Sequence, residues 1–380
     1  MGCMTSTESN KRTQSFSAEK TSSTVGGVET IQLRSKLKDP QKLQILSAEI
    51  LPGRGMNVFK IRGHVPGKGE VDLLHSRDLG PGENKLGPAE EDFNGNLAFK
   101  EGGAILVPFA NRIRGQLSKD GQTLTTTVAG KKVQLPANWK GKKPGAEKHA
   151  MHGLILDSKV GDLKLTGGES EAAAQATLEA GDFGGHWPSK TRLNFQYSLK
   201  DAGLTIKVTA TNVGQEQLPI GIGWHPYFNF PSGDRRQARL VIPAKTRLLV
   251  NNYDDVFPTG GREGLEGPYA FYSFKGAALL GNFLDDCFTD LVRGADGVAN
   301  AEILDPAARF GLRIRAVSPQ IKAFQVYAPP EKNFVAVEPQ FNLADPYNKK
   351  IWKATDDTGM VLLKPGESVT YEVALELFSP

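Results

Sequence analysis

From about Leu43 to the C-terminus, large apolar residues tend to fall at every second position, the spacing of half-buried strands. Arg192 to Leu199 alternates cleanly, and Leu204 to Ala210 alternates again after the turn Asp201-Ala202-Gly203, which predicts a β-hairpin. The same signal runs through Phe310–Val317 and Val369–Leu377, the latter introduced by the turn Lys364-Pro365-Gly366-Glu367. It is partial in Met56–Ile61 and in Gly69–Leu74. One stretch, Glu169 to Ala180, is rich in Ala and Glu and predicts a short helix. With no βαβ alternation and frequent Gly and Pro, the pattern predicts an all-β chain, a large antiparallel β-sandwich. Residues 41–380 show no internal repeat and no linker, so they are expected to form a single domain. Residues 1–40 carry few large apolar side chains and are expected to be a flexible polar leader.

Composition narrows the function classes. A formal charge of +4 with both signs interspersed gives no basic stripe of the kind nucleic acid needs. The densest basic stretch, Lys131 to Lys148, lies among Gly and Pro and reads as a solvated loop. No apolar run approaches the roughly 20 residues that span a bilayer, so no membrane span is expected. The two cysteines, Cys3 and Cys287, are expected to be free thiols, consistent with a cytoplasmic location. The N-terminal Met1-Gly2-Cys3-Met4-Thr5-Ser6 also fits a lipidation pattern at Gly2 and Cys3. Nothing in the chain sets the oligomeric state.

Several polar residues stand in contexts that point to chemistry. His225 lies between aromatic residues in Trp224-His225-Pro226-Tyr227-Phe228, where burial would shift an imidazole away from its solution range. Glu338 ends the apolar stretch Phe334-Val335-Ala336-Val337, where a carboxylate needs a partner or a task. Asn111-Arg112-Ile113 follows a strand-like segment and offers a guanidinium fork. His149 and His152 are three residues apart without a zinc-type ligand set, and no metal or other cofactor is expected.

In chain order these pieces resemble the aldose 1-epimerase (galactose mutarotase) family. The resemblance rests on Gly103–Ile113 with its Asn-Arg-Ile, Val133–Asn138, His152-Gly153, Trp224–Asn229, Leu284–Phe288, and Val337-Glu338-Pro339-Gln340 followed by Asp345–Asn348. His149 departs from the pattern, standing where the family has asparagine, and the loop Lys140–Lys148 is longer and more basic. The resemblance implies the family's large β-sandwich, the galactose mutarotase-like supersandwich, and interconversion of the α and β anomers of a hexose. Mutarotation needs one base and one acid on opposite sides of the ring, and no cofactor. By resemblance Glu338 is the base on O1 and His225 the acid on the ring oxygen. Arg112, His152, Asp285 and Asn111 would hold hydroxyls, and Trp187 and Trp224 would stack on the sugar. Two rival readings remain open. One is a hexose-6-phosphate mutarotase using Arg114 or Lys148 for the phosphate; the other is a non-catalytic carbohydrate-binding protein on the same fold.

Overall fold

The computed structural model describes residues 15–274 and 276–380. Two large sheets, of thirteen and nine strands and antiparallel except for one short edge pair, pack face to face around a shared apolar core. The nine-stranded sheet contains the expected hairpin. Thr191–Lys200 pairs with Gly203–Asn212, and Leu199 lies opposite Leu204. Its inward residues Leu193, Phe195, Tyr197 and Leu199 are buried while Arg192, Gln196 and Lys200 are exposed, the alternation read from the sequence. Ser368–Phe378 and Phe310–Ala316 continue the same sheet. Asn57–Val65 in the larger sheet is buried on both faces, which explains why its alternation was only partial.

Two expectations are corrected. Ala172–Gly181, which overlaps most of the expected helix, forms a strand between Gly161–Gly167 and Thr191–Lys200. Ala172, Ala174, Ala176 and Leu178 face the core, so pairing on both edges and burial of one face override the helical preference of Ala and Glu. Part of the expected leader is also folded. Phe16–Val25 and Val28–Ser35 form a hairpin that joins the larger sheet through Gln44–Leu51. Phe16, Ile31 and Leu33 join the main core and Val25 a second apolar cluster, and the Thr21 and Thr30 hydroxyls pair across the strands at 2.6 Å. Composition misses this segment because a hairpin added to an existing sheet needs only one apolar face. Gly2 and Cys3 lie outside the described residues; Cys287 is free and buried. Among the described residues no helix is long and apolar enough to cross a membrane.

Two buried hydroxyls tie the layers together. Tyr197 Oη donates to the Met56 carbonyl at 3.0 Å, and Tyr371 Oη donates to the Pro339 carbonyl at 2.8 Å. The second bond anchors the residue after Glu338 to the opposite sheet. On the other side of the sheet centre, Gly103 pairs with Pro226, and the Trp224 indole lies against its backbone with Nε1 donating to the Gly103 carbonyl at 3.0 Å. A Cβ at Gly103 would sit 2.5 Å from Trp224 Nε1 and 2.9 Å from Cε2. Gly103→Ala should therefore lower stability by about 1–3 kcal/mol through overpacking. Chemical denaturation measures this; an unchanged midpoint would show that the strand pair is looser than described.

Candidate active site

The site is a patch on one face of the larger sheet, set by strand register. Within the antiparallel pair Gly223–Asn229 and Phe334–Gln340, Gly223 opposes Gln340 and Tyr227 opposes Ala336, so His225 falls opposite Glu338. Across the next strand pair Gln325 opposes Glu338, and beyond it Cys287 opposes Gln325. Gln325, Glu338 and His225 thus form one polar row over three strands. Directly opposed side chains on one face lie about 5 Å apart at Cβ, and the row closes with His225 Nε2 3.2 Å from Glu338 Oε1. The neighbouring row holds Asp285, Tyr327, Ala336 and Tyr227. The small Ala336 leaves space above the sheet at its centre.

Arg112 and His152 reach this patch from the connections over the sheet. Arg112–Ile113 pairs with Ala150–Met151, and the His152 amide donates to the Asn111 carbonyl at 2.9 Å. Asn111 and His152 both adopt left-handed backbone conformations, with φ of 63° and 62°. Such geometry in non-glycine residues costs about 1–3 kcal/mol and persists where its surroundings enforce it. The segment after Glu338 supplies that enforcement. The Asn342 amide accepts from the Ala110 N–H and donates to the Ala110 carbonyl, both at 2.9 Å. The Asp345 N–H donates to the Arg112 carbonyl, and the Asp345 carboxylate accepts from the Arg114 N–H.

Four side chains then close a ring. Arg112 Nη1 donates to Asn111 Oδ1 at 2.8 Å, and Asn111 Nδ2 donates to Gln325 Oε1 at 3.1 Å. Gln325 Nε2 donates to Asp285 Oδ1 at 2.7 Å, and Asp285 Oδ2 lies 3.7 Å from Arg112 Nη2. Phe99 and Tyr227 pack against the His225 ring, and the rings of His152 and His225 meet edge to face at 4.8 Å. Together they line a cavity of about 510 Å³, within the range typical of small-molecule sites.

Burial dominates the electrostatics. It raises the Glu338 carboxyl well above the ordinary carboxylate range, with Asp285 adding to the rise and Arg112 opposing it. Burial also lowers His225 to about 4, and Arg112 pushes in the same direction. Both shifts disfavour a separated ion pair and favour a protonated carboxyl beside a neutral imidazole. His152 is held neutral by burial, reinforced by His225 and Arg112. Asp285 is raised by burial even beside Arg112, whose own lowering has the same cause, so desolvation outweighs the attraction of that pair. Glu338 Oε2, His152 Nδ1 and Arg112 Nε are buried without a hydrogen-bond partner among the described residues. A ligand rich in hydroxyls has both donors and acceptors for these three groups.

Of the residues singled out in the sequence, Glu338, His225, Arg112, His152, Asp285 and Asn111 converge on this cavity. Trp187 and Trp224 do not. Trp224 neighbours His225 on a strand and so faces the opposite side, where it is fully buried against Phe228. Trp187 stacks on Phe109 and donates to the Pro219 carbonyl at 2.6 Å, also in the core. Arg114 and Lys148 are likewise engaged elsewhere. Arg114 Nε donates to Glu147 at 3.0 Å with its guanidinium over Phe257, and Lys148 Nζ donates to the Gly121 carbonyl. The site residues not foreseen include Gln325, Tyr227 and Phe99. A glutamine amid the apolar strand Ala323–Ala328 was the available signal for Gln325.

A family model described as aldose 1-epimerase matches residues 88–376. Among solved structures, a galactose mutarotase-like protein from Clostridium acetobutylicum superposes with a TM-score of 0.70 at 21% identity, covering 93% of this chain and 96% of that one. A galactose 1-epimerase from Lactobacillus acidophilus superposes with a TM-score of 0.64 at 17% identity, over 96% and 99% of the two chains. These likenesses show the same fold. The uncharacterized protein YphB of Escherichia coli is 30% identical over 136 residues, which span 35% of this chain and 39% of that protein. With the family model matching most of its length, the chain belongs to the aldose 1-epimerase family.

Proposed function

We propose that the protein is a mutarotase that interconverts the α and β anomers of a hexose, with Glu338 and His225 as its acid–base pair. The observation that carries this reading is the 3.2 Å contact between His225 Nε2 and Glu338 Oε1 in the cavity. A binding protein has no need to bury an acid and a base against each other.

The proton inventory fits the reaction. With the sugar ring closed, Glu338 as carboxylate takes the proton from O1 while His225 as imidazolium gives one to the ring oxygen. The C1–O5 bond breaks as the C1 carbonyl forms, leaving a protonated carboxyl and a neutral imidazole. Those are the protonation states that burial favours in the pair itself. Rotation about C1–C2 followed by reversal of both transfers closes the ring with the other configuration. One proton is shared between the two groups throughout, and none is exchanged with solvent as a requirement of turnover. The ring formed by Arg112, Asn111, Gln325 and Asp285 holds hydroxyl-binding groups in fixed orientation.

Glu338→Gln should preserve the fold and lower kcat by about 10²–10⁴-fold. Polarimetry of freshly dissolved α-glucose, or of whichever aldose proves the best substrate, measures the loss. A variant as fast as the parent protein would remove Glu338 from the base role. The pH dependence has a defined sign. Below about 4 His225 gains a second proton for the pair, so kcat/KM should fall on that acid side. On the alkaline side it should fall when the pair loses its shared proton, at a pH above the ordinary carboxylate range because Glu338 is raised. A profile governed by an ordinary carboxylate pKa, with no further limb, would contradict the shared-proton arrangement.

A further inference from the structure

The sheet face that carries Glu338 and His225 is sealed at one end and open at the other. One residue pair beyond their row, on the same face, Gln340 opposes Ala323, and both are fully buried. Ala323 and Cys287 are packed there under Leu248, Leu343 and Trp352. In the other direction the face lines the cavity through Tyr327 and Tyr227 as far as Phe283 and Phe334. Strand geometry sets the length of that floor. At about 3.4 Å per residue, the four residues from Glu338 to Phe334 span roughly 13 Å, more than one pyranose ring covers.

The outer end of the floor is aromatic. Phe283 and Tyr253 meet edge to face at 5.3 Å, and Phe283 meets Tyr327 at 6.2 Å. Phe99 and Tyr227, which pack on His225, are buried, whereas Phe283 and Tyr253 remain 38% and 44% exposed. Both exposed rings are held in place. Tyr253 Oη donates to Asp286 Oδ1 at 2.9 Å and lies 3.2 Å from Tyr269 Oη. Phe283 directly precedes the strand Leu284–Leu291, whose Leu284 is paired with Ala328. A sugar has a face of C–H groups as well as its hydroxyls, and an exposed, immobilised aromatic ring covers that face at little entropic cost. Trp187 and Trp224 are too deep in the core to do so.

Resting on the mutarotase reading above, we infer that the cavity holds two linked sugar rings, and that the preferred substrate is a reducing disaccharide. The reducing ring lies over Glu338 and His225. The second ring, joined through an oxygen remote from C1, stacks on Phe283 beside Tyr253. With the other end of the floor sealed by Trp352 and its neighbours, the remote end of the first ring extends along the sheet toward these aromatics. Because the second ring touches nothing near C1, it lowers KM and leaves kcat at the monosaccharide value.

Exchange NMR on glucose, maltose and cellobiose, which share a reducing glucose, tests the inference by measuring catalysed anomerisation above the spontaneous rate. For at least one disaccharide kcat/KM should exceed that for glucose by about tenfold, carried by KM. An advantage for one disaccharide alone supports the inference and identifies the linkage. Phe283→Ala should erase the advantage and leave glucose unchanged, and Phe283→Tyr, which keeps the ring, should retain it. Equal kcat/KM for all three sugars in the unsubstituted protein overturns the inference, as does an advantage that survives Phe283→Ala. Equal impairment of Phe283→Ala on glucose and disaccharide also overturns it, by placing the ring at the first sugar. Failure to anomerise any sugar is a separate outcome, which removes the mutarotase reading and this inference with it.

Discussion

The site depends on strand register. His225 and Glu338 are more than a hundred residues apart in sequence, yet pairing of their strands makes them direct neighbours on one sheet face. A slip of one residue in either strand would turn that strand's polar residue toward the core and bring Trp224 or Val337 to the cavity in its place. Several features oppose that slip. Trp224 is locked beneath the sheet against Gly103, and Tyr371 holds Pro339 from the opposite layer. Asn342 clamps the chain after Glu338 to Ala110. The thirteen-stranded sheet thus acts as a platform, with the polar cavity-lining residues at its centre and exposed lysines on the loops at its rim.

Register also explains how a buried acid and base coexist. Each would be expensive to charge alone in this environment. Placed opposite each other, they can hold a single proton between them and remain neutral in sum. On the proposed reading, the same burial that raises Glu338 and lowers His225 would strip water from a bound sugar's reacting oxygens and strengthen each charge–dipole interaction there. Further out, the Arg112–Asn111–Gln325–Asp285 ring presents fixed donors and acceptors without net charge. At the mouth of the cavity stand the exposed Lys140, Lys142 and Lys332.

Much of this was legible in the sequence. Alternation identified the sandwich because each strand of the smaller sheet has one solvated face, as Thr191–Lys200 does. It was weaker for Asn57–Val65, where burial on both faces erases the period. Glu338 and His225 stood out because polar groups amid apolar and aromatic residues require a reason. Trp224 was misassigned although the same rule was available: a strand neighbour of an inward residue faces away from it. Asp285 and Asp286 obey the rule too, since Asp286 turns from the cavity to hold Arg247 at 2.8 Å and Tyr253 at 2.9 Å. Gln325 went unseen because its importance lies in bridging Asn111 and Asp285, a relation that only three-dimensional proximity creates. The N-terminal hairpin and the alanine-rich strand failed for a shared reason. Both take their conformation from sheets already formed beside them, and neither composition nor helix propensity registers such partners.

On the proposed mechanism Glu338 and His225 act as one unit sharing a proton, and a double-mutant cycle on kcat measures that coupling most directly. Glu338→Gln, His225→Asn and the double variant should be impaired to a similar extent, because removing either partner disables the shared transfer. Losses that multiply, leaving the double variant slower by the product of the single effects, would contradict the account and mark the two residues as independent contributors.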